Sequence, residues 1–252
     1  MGKKYFMLLI LFILLITTLF GCQIHLNPGF SVQEPLLYYY SFDSVEGGKV
    51  QDLSGNHFDA TVTAASLVAG KVGNALNFSV PGAKVKLPVH FDVNGYYDYL
   101  PNNQISICAW ICLTASNPGS ANHIVGTGYS ESGWGSFFLR VQDSKVEYYM
   151  CQDNAAQWFP IIQSNTIIDA GKWYYIVLTY DCLNAILYIN GVQDNTNNII
   201  MSFPDFANDL SVGGTETGCN FNGEIDELKI YNNIITSSEI MDYYNQTKGG
   251  VK

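Results

Sequence analysis

Positive charge is scarce in this chain. Its 252 residues hold 12 Lys and Arg against 22 Asp and Glu, and Arg140 is the sole arginine. A surface so short of bases argues against nucleic acid and anionic lipid headgroups as partners, because both are bound through clustered Lys and Arg. Histidine is equally thin: His25, His57, His90 and His123 stand singly, with no HExxH run and no Ser/His/Asp context, so triad and zinc-protease chemistry have no foothold. The six cysteines form no CxxC pair and no Cys/His spacing, which leaves zinc without a ligand set. Outside the first twenty or so residues there is no long apolar run.

What is there begins with that run. Lys3 and Lys4 precede an almost unbroken apolar stretch from Tyr5 to Phe20, followed by Gly21 and Cys22. The stretch is shorter than the ~20 residues that span a bilayer as a helix, and it has the layout of an export signal. Leu19-Phe20-Gly21-Cys22 resembles a bacterial lipobox. That resemblance implies cleavage after residue 21, acylation of Cys22 and a membrane partner reached through that lipid. A plain cleaved signal or an uncleaved anchor are the alternatives. Gln23 lacks the inner-membrane retention signal of an Asp at that place, so by the same resemblance the protein belongs to the cell envelope, at the outer membrane or cell surface. Without Lys3 and Lys4, ten bases face 22 acids, a formal charge of −12. Acidic loops suit calcium, and they equally keep an exported protein soluble.

Residues 22–35 are polar and broken by Pro28, Gly29 and Pro35, and read as a tether. From residue 36 to 252 the chain reads as one domain of short alternating runs punctuated by Gly, Asn, Asp and Pro, the mark of an all-β sandwich. The clearest runs cover residues 105–113, 136–141, 145–151, 173–180, 185–190 and 224–231. Asn190-Gly191 is the strongest turn dipeptide. One short helix is expected at 237–244, with Ser237 or Ser238 as its cap. Cys108 and Cys112 lie on one face of a strand about 13 Å apart at ~3.3 Å per residue, too far to bond to each other. Cys151, Cys182 and Cys219 are left as possible bridge partners or buried thiols. Trp110 and Trp173, inside alternating strands, are expected to fill the space between the sheets.

Several segments occur in a telling order: YYYSFD at 38–43, DLSGNHFDATV at 52–62, GKVGNALNF at 70–78, ISICAWICL at 105–113, and GKWYYIVLTYD at 171–181. LYINGV at 187–192, Gly213-Gly214, and FNGEIDELKIYNNIITSSEI at 221–240 complete it. Together they resemble the laminin-G-like, concanavalin A-like jelly roll. The resemblance implies two curved antiparallel sheets with a short C-terminal helix, and a concave side that in several relatives receives sugar or protein ligands. It also implies a structural calcium held by an Asp on the last strand. Asp226 is that Asp, with Asp43 and Asp52 as candidate companions; for Asp52 the alternative is a metal-free Asx turn.

The same fold houses glycoside hydrolases with Glu-x-Asp-x-Glu on one strand. Here the run is Glu224-Ile225-Asp226-Glu227. In a regular strand Glu227 points away from Glu224 and Asp226, so the catalytic set is incomplete, and a non-catalytic binder of polysaccharide or glycoprotein is favoured over a divergent glycan-cleaving enzyme. For ligand contact the aromatic loops stand out, with Tyr97, Trp134 and Trp158 as platforms and Asn195, Asn197 and Asn198 as amide donors. Arg140 can hold a carboxylate or sulfate if it faces the concave side, or else pair with an acid of the chain itself.

Overall fold

The computed structural model describes residues 35–88, 104–115, 121–127, 136–151, 158–201, 210–215 and 220–250, excluding the side chains of residues 136, 151, 158 and 159. Two antiparallel sheets, each eight-stranded among these residues, lie across one shared core. Sheet A runs β14 (Val192–Asn198), β13 (Asn184–Ile189), β12 (Trp173–Tyr180), β7 (Ile105–Leu113), β16 (Gly223–Tyr231), β5 (Asn74–Asn77) and β4 (Ser66–Ala69), and β1 (Leu36–Tyr40) also pairs with β16. Sheet B runs β11 (Trp158–Gln163), β10 (Lys145–Cys151), β9 (Ser136–Gln142), β8 (Asn122–Thr127), β15 (Leu210–Val212), β6 (Lys84–Lys86), β3 (Ala60–Thr63) and β2 (Lys49–Val50). This is the all-β jelly-roll architecture expected from the alternating runs.

Alternation fixes the core. On β7, Ile105, Ile107, Ala109, Ile111 and Leu113 join the main cluster, as do Ile176, Leu178 and Tyr180 on β12 and Leu139 and Val141 on β9. Successive side chains point to opposite faces, so Cys108 and Trp110 must face outward from the core. They do, and helix α1 (Ser237–Thr247) covers them. Cys108, Trp110, Tyr175, Val177 and Tyr188 form a second cluster with Ile235 and Ile240, against which Trp173, Tyr243 and Tyr244 pack. The expectation that Trp110 and Trp173 fill the space between the sheets is therefore corrected: both belong to the layer between sheet A and α1. Alternation gives opposite faces, but not which face meets the second sheet.

The helix starts at Ser237 as expected but runs on to Thr247, and its cap is not the expected Ser237 or Ser238. Thr236 is the cap, accepting from the Glu239 amide while the Glu239 carboxylate takes the Thr236 N–H in a reciprocal capping box, which satisfies two otherwise orphan donors. At the sandwich edge, Asn195 and Asn197 on β14 donate to the Gln163 and Ile161 carbonyls of β11 at 2.8 and 2.6 Å. Asn198 donates to Asn184 Oδ1. The first two amides close the seam between the two sheets, the third bonds within sheet A, and all three are engaged within the protein. Cys108 and Cys112 are not bonded to each other, in keeping with their spacing, and both are buried free thiols, as is Cys182.

Candidate functional site

Two places gather polar side chains around residues singled out in the sequence, the first around Asp43 and Asp226 and the second around Arg140. The first is the loop between β4 and β5, the GKVG segment. Asp43 Oδ1 accepts from the Asn74 N–H at 2.9 Å, and Asn74 Nδ2 returns a bond to the Asp43 carbonyl. Asp226 Oδ2 accepts from the Val72 N–H at 2.8 Å. The two glycines make room for these carboxylates. A Cβ on Gly70 would lie 2.7 Å from Asp226 Oδ2, and one on Gly73, whose φ is +58°, would lie 2.1 Å from Asp43 Oδ1. Any larger residue would expel the acids.

Asp226 is 0% exposed and its Oδ1 has no hydrogen-bond partner. Burial pushes the carboxyl up to about 8, opposed by the backbone amides of Val72 and Lys71, with the neighbouring charges of Glu227 and Asp43 adding to the rise. A buried carboxylate oxygen with no donor is costly unless it keeps a proton or meets a cation, so the donor set fits a hard cation in kind. No group of three or more His, Cys, Asp or Glu side chains is placed to hold a metal among the described residues, so further oxygens would come from backbone or water.

Asp52, the third expected companion, is elsewhere. Its carboxylate accepts from the Tyr39, Ser54 and Phe58 amides and the Ser54 hydroxyl, all between 2.7 and 3.0 Å. Those bonds fill an Asx-type turn that pins the DLSGN segment to β1, and they leave this carboxylate to its own turn.

The acids of β16 hold a second surprise. Ile225 and Leu228 both lie in the core, so the pair between them faces outward together. Glu227 adopts φ +53°, and the pairing of β16 with β7 shifts between Asp226 and Lys229. This bulge overturns the expectation that Glu227 points away from Asp226, because the extra residue resets the alternation. Glu227 is 3% exposed and receives the hydroxyls of Tyr39, at 2.8 Å, and Tyr243. Lys229 sits over both rings, 4.4 Å from Tyr39 and 3.5 Å from Tyr243. Glu227 thus ties β1 and α1 to β16, and its carboxylate is enclosed rather than presented to solvent.

The second place is the outer face of sheet B, away from the core. His123, Arg140, Glu147 and Gln163 stand side by side on β8, β9, β10 and β11. Arg140 donates through Nε and Nη2 to Glu147 Oε2 at 3.3 and 3.2 Å, Gln163 donates to Glu147 Oε1 at 2.6 Å, and the guanidinium lies 4.3 Å from the Tyr149 ring. A second row across the same face reads Lys49, Thr61, Lys86, Ser211, Gly126, Phe138, Tyr149 and Pro160. A Cβ on Gly126 would come within 3.0 Å of His123 Cε1 and 2.9 Å of Phe138 Cδ1, so this glycine lets both rings settle against the sheet. His123 is 2% exposed with Nε2 unpartnered. Burial lowers its imidazole to about 4, against a backbone hydrogen bond at Ser211 that raises it, while the Arg140 charge lowers it further.

Arg140 therefore faces outward and is paired with an acid of the chain, the alternative its sequence left open. Trp158 opens β11, its side chain lying outside the description, and Tyr97, Trp134 and the lipidation candidate Cys22 fall outside the described residues. His123, Glu147 and Tyr149 were missed. Their alternation with core residues was visible, but their alignment across four strands depends on register.

With this geometry in view, the sequence profile described as the concanavalin A-like lectin/glucanases superfamily matches residues 81–241. The chain belongs to this family. No curated protein matches the sequence. Among solved structures, this laminin-G-type chain is similar to domain 4 of AbnA, a GH43 extracellular arabinanase from Geobacillus stearothermophilus, in complex with arabinotriose. Identity is 21% and the TM-score 0.63, over 82% of this chain and 97% of that one. The binding domain of Paraclostridial Mosquitocidal Protein 1 shares 18% identity at a TM-score of 0.63, over 84% of this chain and 52% of the other. The binding domain of botulinum neurotoxin DC in complex with rat synaptotagmin II shares 15% at 0.65, over 86% and 52%. The chain thus spans about half the length of these toxin binding domains, and at such identities the likeness is one of fold.

Proposed function

We propose that this protein is a lipid-anchored, non-catalytic binding module of the cell envelope that takes carbohydrate, as polysaccharide or glycoprotein, on the outer face of sheet B. The observation that carries the reading is the ladder from His123 to Gln163, in which the buried Glu147 holds the more exposed Arg140 and Gln163 on one face with the rings of Tyr149 and Phe138. Rings of this kind stack on sugar faces, and fixed polar groups beside them orient hydroxyls. The structural relatives support it in kind: one is a domain in complex with arabinotriose, another a toxin domain in complex with N-acetylneuraminic acid. The acids of β16 favour binding over glycan cleavage, since Asp226 and Glu227 are buried against sheet A and engaged by a loop and two tyrosines.

In this reading Asp226 and Asp43 hold a structural calcium at the GKVG loop, and Asp52 plays no part. The ion would supply the missing partner of Asp226 Oδ1 and join the loop to the last strand. Cys22 carries the lipid, and residues 22–35 are the tether.

The test is a glycan array screen of the full chain in detergent, with product analysis on every hit. The expected result is at least one glycan bound without turnover, with binding weakened tenfold or more in Arg140→Ala, and loss of detergent-phase partition in Cys22→Ala. Glycan cleavage that disappears in Glu224→Ala would replace the binding reading with the enzymatic one.

A further inference from the structure

The GKVG loop has a second side. Lys71 donates from Nζ to the Lys248 carbonyl at 2.5 Å, just beyond α1, and its ammonium lies 5.1 Å from the Trp110 ring. Helix α1 has no basic residue in its own last turn. A helix C-terminus exposes unpaired carbonyls with partial negative charge and is stabilised by a nearby cation. Lys71, far away in sequence, supplies one from the sheet side, while the ammonium of the cap residue Lys248 turns back to Asn245 Oδ1 and the Tyr244 ring. The same end of the helix is bolted to the sheet by Trp110 Nε1, which donates to Thr247 Oγ1 at 3.1 Å, and by the stacking of Trp110 on Tyr244 with centroids 5.8 Å apart. One short loop therefore touches Asp226 on one side and the end of α1 on the other. The next residue of β16, Glu227, grips Tyr243 in the middle of the same helix.

We infer that the GKVG loop is a latch through which a cation held at Asp226 sets the seating of α1 on sheet A, and with it access to the aromatic floor that contains Cys108. The inference rests on the calcium reading above. With the cation in place the loop is fixed, Lys71 stays on the helix end, and Trp110 remains roofed. Without it, nothing bridges Asp226 Oδ1 to the loop, backbone amide contact alone ties the loop to Asp226, Lys71 withdraws from Lys248, and the helix end loses its cation from the sheet side. Lifting α1 uncovers Cys108 and Trp110 but not Cys182, which lies in the main core between the sheets.

The test is alkylation of the full chain in detergent by N-ethylmaleimide, read cysteine by cysteine by peptide mass, in calcium and in chelator, beside melting curves in both. The expected result is at least tenfold faster labelling of Cys108 in chelator, with Cys182 slow in both conditions. Lys71→Met should make Cys108 fast in both conditions while keeping the calcium-dependent rise in melting temperature, and Lys71→Arg should restore protection. If calcium raises the melting temperature but Cys108 stays equally protected in both conditions, the cation site stands and the latch is overturned. If neither melting nor labelling responds to calcium, the cation reading fails and takes the latch with it.

Discussion

Beneath α1 the outer face of sheet A is mainly aromatic and roofed: Trp110, Tyr175 and Tyr188 lie there, with Trp110 and Tyr175 centroids 5.4 Å apart. The outer face of sheet B carries the His123, Arg140, Glu147 and Gln163 ladder, and among the described residues no helix covers it. Both faces arise from the same alternating strands on one core. The difference teaches which side of a two-sheet protein its own chain completes and which side is finished in polar groups that satisfy one another. Each face also hides one ionisable group without a full set of partners, Asp226 on sheet A and His123 on sheet B. Burial pushes both toward their neutral forms, so the carboxyl rises and the imidazole falls.

The contrast breaks most sharply at Trp110. It is 2% exposed, and its ring meets Tyr175, Tyr244 and the Lys71 ammonium. Trp110→Ala should cost about 3 to 5 kcal/mol, the range for deleting a large buried aromatic, and leave glycan recognition on sheet B intact. Denaturant melts beside the array assay would separate the two. Equal loss of binding in Trp110→Ala and Arg140→Ala at temperatures where both are folded would erase the division of labour between the faces.

Next in size is the pH response of His123. Its native value of about 4 lies below the usual 6.5, so between the two the unfolded chain binds the proton and the native protein does not. The stability it contributes is present above pH 6.5 and lost as pH falls through 4, on the order of 3 kcal/mol. His123→Gln should flatten the melting profile across that window. A profile unchanged by the substitution would mean the imidazole reaches solvent. Asp226 has the opposite sign: in the absence of a cation its raised carboxyl favours the native state below the usual 3.8, and that advantage is lost as pH rises through about 8.

Much of this was legible in the residues. The runs at 105–113, 145–151 and 173–180 coincide with β7, β10 and β12, because period-two alternation is a local signal. What stayed hidden depends on distant partners. The contacts of GKVG with Asp43 and Asp226 join residues distant in sequence, and the spacing that separates Glu227 from Asp226 fails at a bulge built on a non-glycine residue with positive φ. The sheet B ladder needed the register of four strands. Trp110 was placed in the wrong layer because alternation is blind to what lies above each face.

The smallest expected effect tests how α1 is held. Thr236 and Glu239 cap its start reciprocally, and those bonds, the side-chain one first, hold the Glu239 carboxyl below its usual range. Thr236→Ala should cost about 1 kcal/mol, well under the cost of Trp110→Ala, since burial on the aromatic floor holds the helix more than its cap does. A carboxyl lowered in the native state contributes above its usual value and loses that contribution as pH falls, so the difference between wild type and Thr236→Ala should shrink in acid. Combining Thr236→Ala with Glu239→Gln gives the decisive comparison. A double variant scarcely worse than either single change assigns the effect to the reciprocal box, whereas additive losses would mean the two residues act separately and the helix start is held by something other than their mutual bond.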